Sequence, residues 1–499
     1  MTERGPSLAG RTALAVALTV GFYTLALAIA GALIALPIVS VASDGPFNIW
    51  LAIFMVVSGV TILKAIFPRR DRFEPPGPEI TEADQPELVA EVRKVSDELG
   101  EPLPHGMFVA HDVNAAVTEE RHLFGEPRRH LIVGLPLLDV LSPQELRAVI
   151  AHEYGHYVGG DTKVGRWIWR TRAAIGRTLT ELHDEDSFGR RIIQLPFEWY
   201  GKLFMRITAA VSRRQEFAAD RVAARVAGDE AQAAALRRIH AAAPAFDAYF
   251  ADEVLPLLES GRRPPLAAGF NRFMRAEGVQ EATRRHTDAL RDEKTDPYDS
   301  HPSLRERLAA LGYDSIDGDS GPSPDAAAQL VRDREQVERR VLETLFGTEA
   351  IAELKPIDWE QVGGEVVREN YERLVRDFGN VFEGVRIGDA PEPLGDLENT
   401  ALRLRRPHED MPDEAARGLS VATVAAATVL ALIERGWQLE ALPGEPAICR
   451  RADETRHPFA DAEELTDGKL DAATWRERYA EVADVEIPTV AREPAPEPA

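Results

Sequence analysis

AVIAHEYGHYVGGD, residues 148–161, sets His152 and His156 four positions apart and places Glu153 directly after the first of them. Just upstream, Ser142 supplies an N-cap hydroxyl, Pro143 the first helical position and Glu145 a carboxylate three residues after the cap. This is a complete capping box, so a helix begins at about residue 143. Gly159 and Gly160 mark its expected end. Residues i and i+4 share one face of a helix, so the two imidazoles point toward one place with Glu153 beside them.

Two neutral imidazoles suit a zinc ion, whose nitrogen ligands stand at about 2 Å. A structural zinc is closed by four protein ligands and has no use for the glutamate. A hydrolytic zinc leaves a position for water, whose pKa falls to about 7 on the metal. A neighbouring carboxylate can take that proton as the water attacks a carbonyl, then pass it to the leaving amine. H-E-x-x-H also arises by chance, so the context matters: here it lies on a capped helix with apolar Val149 and Ile150 available for packing.

The candidate third ligand lies in SRRQEFAADRVAARVAG, residues 212–228, where Glu216 and Asp220 are again i and i+4. The small Ala218 and Ala219 between them would let this helix approach the first closely. Glu216 would complete a His₂Glu set, and Asp220 would accept the outer ring N–H of a ligand histidine, fixing its tautomer. In DSHPSLRERLAALG, residues 299–312, His301 and Arg307 are candidate donors to a tetrahedral oxyanion.

Around this core of chemistry the composition sets limits. The chain has 499 residues, and 58 basic against 82 acidic side chains leave a net charge of −24, which excludes a nucleic-acid partner. The single cysteine, Cys449, rules out an internal disulfide and any multi-thiolate zinc site. Two uncharged runs near the N-terminus, about 12–41 and 46–66, reach the roughly 20 residues a spanning helix needs. They predict a membrane anchor over residues 1–75. Arg4 and Arg11 precede the first span, and Lys64, Arg69, Arg70 and Arg72 close the second. Positive charge favours the cytoplasmic side, so everything after residue 70 is expected there.

The fold class that follows is α+β and predominantly helical. ADQPELVAEVRKVSDELG reads as an amphipathic helix closed by Gly100, and HGMFVAHDVNAAV and RRHLIVG read as strands around the turn-like LFGEP. Residues 163–211 are helical in pattern, but the arginines of GRWIWRTR favour helices lying along the membrane surface over further spans. GYDSIDGDSGPSPD reads as a linker. It divides a catalytic domain, 76–315, from a separate C-terminal α+β region, 316–490, ahead of a disordered tail at 491–499. The uncharged GLSVATVAAATVLALI within that region reads as a buried core helix, too short at 16 residues to span.

The ordered set HEYGH, RRQEFAAD and HPSLRER, behind two N-terminal spans, resembles the integral-membrane zinc metallopeptidases of the HtpX and CAAX-prenyl-protease superfamily. The resemblance covers about residues 80–315. It implies a zincin-type domain holding one zinc per chain, bound by His152, His156 and Glu216. It also implies Glu153 as catalytic base, Asp220 behind the ligands, and protein or peptide substrates at a bacterial-type cell membrane. Asn114 and Ala115 resemble the family's substrate-side Asn-Ala element. Family members carry two further spans between the zinc motifs, where this chain has its arginine-rich segment, so an intramembrane chamber and a prenyl-peptide substrate do not carry over directly. The rival reading is a non-catalytic membrane adaptor with a structural zinc, which would have no need of Glu153.

Overall fold

The computed structural model describes residues 8–488 apart from 44–46, 68–72, 121–127, 158–161, 184–187, 292, 294, 300 and 406–410. The basic residues Arg4, Arg69, Arg70 and Arg72, the turn LFGEP, the glycines 159 and 160 and the tail 491–499 lie outside the described residues. The chain forms two compact units. One comprises residues 1–244 with 283–345, the other 245–282 with 346–499. This division differs from the single boundary expected near residue 315. GYDSIDGDSGPSPD is fastened to the first unit, because Ser323 N–H donates to the Val140 carbonyl, Ala327 N–H to that of Leu141, and Ile316 is buried.

The first unit begins with α1, Leu8–Ala42, and α2, Ile49–Ile66. Both are long and apolar enough to cross a membrane. Asn48 starts α2 by accepting the N–H groups of Trp50 and Leu51. Large apolar side chains such as Leu36, Val39 and Trp50 stay exposed, as lipid-facing surfaces do.

A mixed four-stranded sheet follows, of β1 Glu79–Ile80, β2 Gly106–Ala110, β3 Ala115–Glu120 and β4 Arg128–Gly134. Its order is β1-β2-β4-β3, parallel only between β2 and β4, so β3 forms an edge. Between β1 and β2 runs α3, Pro86–Leu99, which buries Leu88, Val92 and Val95 and ends on a left-handed Gly100 at φ 66°. After the short α4, Leu137–Val140, comes α5, Pro143–Gly155, and the expected capping box is present at Ser142 and Glu145. The second carboxylate oxygen of Glu145 also accepts from Arg238, which fixes the start of α5. The helix ends at Gly155, with His156 as its C-cap, earlier than the glycine pair implied.

Two helices complete this unit's frame: α6, Thr162–Leu182, and α7, Phe188–Ala227. They do not lie across the ends of α1 and α2, as the arginines had implied. Instead they stand beside them, sharing a core of Phe22, Ala26, Ile62, Ile175, Phe197 and Phe204. The polar groups are satisfied inside the bundle. Tyr200 donates to the Leu18 carbonyl at 2.6 Å, Arg177 to that of Ala65 at 3.2 Å, and Arg172 to Thr208 at 3.0 Å. Such internal partners offset the several kcal/mol that an unpaired arginine costs at membrane depth. Behind α7, α8 runs over Asp229–Ala248.

The second unit is built around the helix Asp413–Glu434, whose Val424, Ala425, Val429 and Leu432 are buried against Trp475, Tyr479 and Phe382. That helix is apolar and long enough to cross a membrane, but 61% of its apolar window is buried inside the protein, as a core helix requires. A three-stranded antiparallel sheet of Gln438–Glu440, Ile448–Arg451 and Glu454–Arg456 packs beside it. Cys449 is buried there, and burial pushes its thiol up to about 12.

Because α6 and α7 bury Phe197, Phe204 and Ile175 against α1 and α2, deleting the first 73 residues should uncover an apolar face. A fragment starting at residue 74 is predicted to stay with membranes after alkaline carbonate or to aggregate without detergent. Its recovery as a detergent-free monomer would contradict this packing.

Candidate metal centre

The site forms where α5 crosses α7. Gly155 lies against Ala219: a Cβ added at Gly155 would come within 2.9 Å of the Ala219 Cα and 3.2 Å of its Cβ. Only a residue without a side chain permits this approach, and Ala219 is itself fully buried. The small residues thus do what their spacing implied. The contribution of Gly155 was not read from the sequence, although a glycine inside H-E-x-G-H was a visible signal.

The close crossing brings four side chains together. His152 Nε2 lies 3.2 Å from His156 Nε2, and the Glu216 carboxylate lies 3.5 Å from the first and 3.7 Å from the second. A tetrahedral zinc with bonds of about 2.0–2.1 Å separates its ligand atoms by about 3.3–3.4 Å, and the two facing nitrogens and the Glu216 carboxylate, which meets His152 through Oε2 and His156 through Oε1, stand near that separation. Glu153 also lies within 4.8 Å of both imidazoles. The backbone of Val117 on the edge strand β3 faces its carboxylate and favours the ionised form. Either carboxylate, Glu153 or Glu216, lies near enough to join the two imidazoles at a metal.

Charge explains the same arrangement. Burial opposes protonation of His152, but hydrogen bonds to Asp220 and Glu216 outweigh it and raise that imidazole to about 9. Burial and the neighbouring His152 hold His156 down at about 4. The pair therefore carries one positive charge between its facing nitrogens, and a divalent cation can take that proton's place. Burial opposes ionisation of Glu216, yet His152 and His301 hold its carboxyl well below the usual range. Glu153 is shifted the other way: burial, reinforced by the charge of Glu216, raises it.

Behind these groups, His152 Nδ1 lies 3.0 Å from Asp220 Oδ1, so that ring nitrogen keeps its proton, and Nε2 would present its lone pair once a metal displaced the other. Asp220 is fully buried, and despite burial its partners His152 and Arg307 lower it to about 2. Arg307, from the helix Leu304–Ala310, grips both carboxylate oxygens at 2.6 and 2.9 Å, and Gln232 on α8 adds a bond at 2.8 Å. This corrects the expectation for Arg307. Its guanidinium is buried and committed to Asp220, so it positions a carboxylate and is not free to meet an oxyanion. His301 differs: its side chain is 65% exposed, with Nδ1 3.4 Å from Glu216 Oε1, at the open side of the cluster.

On β3, the Asn114 side chain accepts the N–H of Ala115 at 2.9 Å, so both residues lie at the start of the edge strand. The structure adds Tyr157, which sequence reasoning passed over. Its hydroxyl donates to the Val117 carbonyl at 2.6 Å, and burial pushes it up to about 12, keeping it a neutral donor.

Comparison with known proteins agrees with this geometry. Residues 82–314 match Peptidase family M48. Protease HtpX of Hahella chejuensis is 28% identical over 240 residues, covering 45% of this chain and 70% of the relative. Protease HtpX of Pseudomonas putida is 31% identical over 168 residues, covering 30% and 55% respectively. The corresponding protease of Pseudomonas fluorescens is 26% identical over 240 residues. No solved structure matches the chain. The chain thus spans little more than half the length of the Pseudomonas putida relative, and the likeness stops short of most of the second unit. Residues 82–314 are thus similar to Peptidase family M48 and to Protease HtpX, and they follow apolar helices that fit a membrane anchor.

The chain Arg307–Asp220–His152 generates a graded prediction. Glu216→Ala should lose the metal, whereas Asp220→Asn should keep it with affinity or activity reduced about 10- to 100-fold. Arg307→Lys, which keeps charge but cannot grip both oxygens, should fall between wild type and Asp220→Asn. Metal content and peptidase rate decide the matter. Full metal retention in Glu216→Ala would remove this carboxylate from the ligand set.

Proposed function

We propose that the chain is a membrane-anchored, zinc-dependent endopeptidase that hydrolyses peptide bonds in protein substrates, with Glu153 as general base. One observation carries this reading. Two imidazole nitrogens 3.2 Å apart face a glutamate carboxylate 3.5 and 3.7 Å away, while a fourth group, the Glu153 carboxylate, lies within 4.8 Å of both imidazoles.

Bound at His152, His156 and Glu216, zinc would supply Lewis acidity, polarising the scissile carbonyl and acidifying the attacking water. Glu153, whose carboxyl burial raises above its ordinary value, would take the water's proton on its carboxylate and deliver it to the departing amine. His152 would stay oriented by the bond from its Nδ1–H to Asp220. His301, exposed beside Glu216, is the side chain best placed to donate to the oxyanion. Asn114 and Ala115 would hold the substrate in extended form through the edge of β3.

The site would face the cytoplasm, on the strength of the basic residues that follow the second span. Substrates would be damaged or misfolded membrane proteins. The support for this is α7, one 40-residue helix that packs on α1 at Tyr200 and carries Glu216 and Asp220 further along. Sixteen residues of helix span about 24 Å, so the catalytic cluster would sit close to the bilayer surface.

Glu153→Gln should keep its zinc and lose at least about 3 kcal/mol of transition-state stabilisation, read as kcat/KM on casein. Unchanged turnover would sink the enzyme reading in favour of a structural zinc. For orientation, buried Cys449 is a poor reporter, and exposed Gln336→Cys in a Cys449→Ala background is a better one. An impermeant maleimide should label it only after cell lysis, and labelling of intact cells would reverse the topology.

A further inference from the structure

Three side chains of α7, Arg213, Glu216 and Asp220, follow one another at steps of three and four residues, so they share one face of the helix. Glu216 faces the two imidazoles, and Asp220 holds Arg307. Arg213 reaches in another direction. Its Nη1 donates to the Asp299 carbonyl at 2.8 Å, and the Asp299 carboxylate accepts the His301 N–H at 2.9 Å. Two hydrogen bonds therefore lead from α7 to the backbone of the histidine whose Nδ1 stands 3.4 Å from Glu216.

The chain beyond His301 is fastened independently. Ser303 caps the helix Leu304–Ala310 by accepting the Glu306 N–H at 3.3 Å, and its own N–H is held by Thr295 Oγ1 at 3.0 Å. From that helix Arg307 returns to α7 and grips Asp220. Arg213 and Asp220 stand about 10 Å apart along the helix axis, with Glu216 between them. His301 thus lies between two ties to one helix and faces the carboxylate between those ties. The tie at Asp220 is buried and joins opposite charges. The tie at Arg213 is the looser one, a half-buried guanidinium on the carbonyl of an exposed residue. Pro302 narrows the backbone choices of His301 without deciding where its ring points.

We propose that Arg213 is a positioning residue: through Asp299 it holds the His301 ring beside Glu216, where the oxyanion would form. This rests on the peptidase reading, in which His301 donates to that oxyanion. A ring tied only from its C-terminal side would spend part of its time turned into solvent, to which 65% of the side chain is already exposed. A donor that meets charge only in the transition state works by being aimed beforehand. Losing the aim therefore lowers kcat and leaves substrate binding alone.

The test uses full-length protein in detergent and has two readouts. The first is backbone hydrogen–deuterium exchange, measured by mass spectrometry on zinc-loaded and zinc-free protein, and it needs no activity. Arg213→Ala should speed exchange across residues 295–303 by about threefold or more and leave residues 217–227 of α7 as in wild type. Asp299→Ala, at an exposed position, should do the same without touching α7. The second readout is the kinetics of zinc-loaded protein on a fluorogenic peptide built around one bond that the enzyme cuts in casein. His301→Ala should lower kcat about 100-fold, as loss of an oxyanion donor does. Arg213→Ala should lower it about 5- to 20-fold, with KM within about twofold and zinc content unchanged. Arg213→Lys, which can still donate to the carbonyl, should recover most of the loss. In a His301→Ala background Arg213→Ala should cost nothing further, because it acts through that ring.

Wild-type exchange in both Arg213→Ala and Asp299→Ala would overturn the proposal. So would losses that multiply in the double variant, or a fall in zinc content, which would tie Arg213 to the ligands and not to His301. If wild type and Glu153→Gln cut the peptide equally, or neither cuts it, the peptidase reading falls and takes the oxyanion role with it. The exchange readout then still decides whether Arg213 holds the chain at His301.

Discussion

The close crossing of α5 and α7 at Gly155 and Ala219 is the constraint on which the metal centre depends. Two histidines on one helix cannot make a closed ligand set, and a glutamate on a distant helix reaches them only if the backbones nearly touch. A larger residue at either position would hold the helices apart by the width of a side chain. Ligand atoms now 3.5 and 3.7 Å apart would then no longer share a centre. The polar cluster follows from that approach. Once Asp220 is buried, it requires partners, and Arg307, Gln232 and His152 all serve it.

The same helix that carries Glu216 and Asp220 also joins the site to the anchor. Along its first half α7 packs on α1 through Phe197, Tyr200 and Phe204, and its register there determines where the two carboxylates stand. Arg172 and Arg177 of α6 are accommodated by a hydroxyl and a carbonyl of neighbouring helices. Anchor and site are thus parts of one packed body within the first unit, and not a soluble domain on a tether.

Much of this was legible in the sequence, and the reasons are physical. The capping box at Ser142, the left-handed Gly100, the strands around Asn114 and the i, i+4 pairs are local patterns, and local patterns survive without tertiary knowledge. What went unread was set by partners far along the chain. Arg307 looked like a free cation because nothing near it in sequence shows that Asp220, 87 residues away, would claim it. The arginines of GRWIWRTR argued for the membrane surface because the acceptor of Arg172, Thr208, lies on another helix, as does Ala65, which accepts from Arg177 just beyond that stretch. The linker composition of residues 312–325 gave no sign of the backbone bonds that pin it to Val140 and Leu141. Tyr157 was passed over because its role depends on which strand forms the sheet edge.

The central claim is that His152, His156 and Glu216 hold a single zinc with Asp220 outside its bonding shell. X-ray absorption at the zinc edge, on full-length protein purified without chelators, measures this most directly. The account predicts one zinc per chain with two imidazole nitrogens and carboxylate oxygen at about 2.0–2.2 Å, and one remaining light-atom position open to solvent. A chain that binds no stoichiometric zinc would contradict it, as would a shell with four protein ligands or one left unchanged by Glu216→Ala.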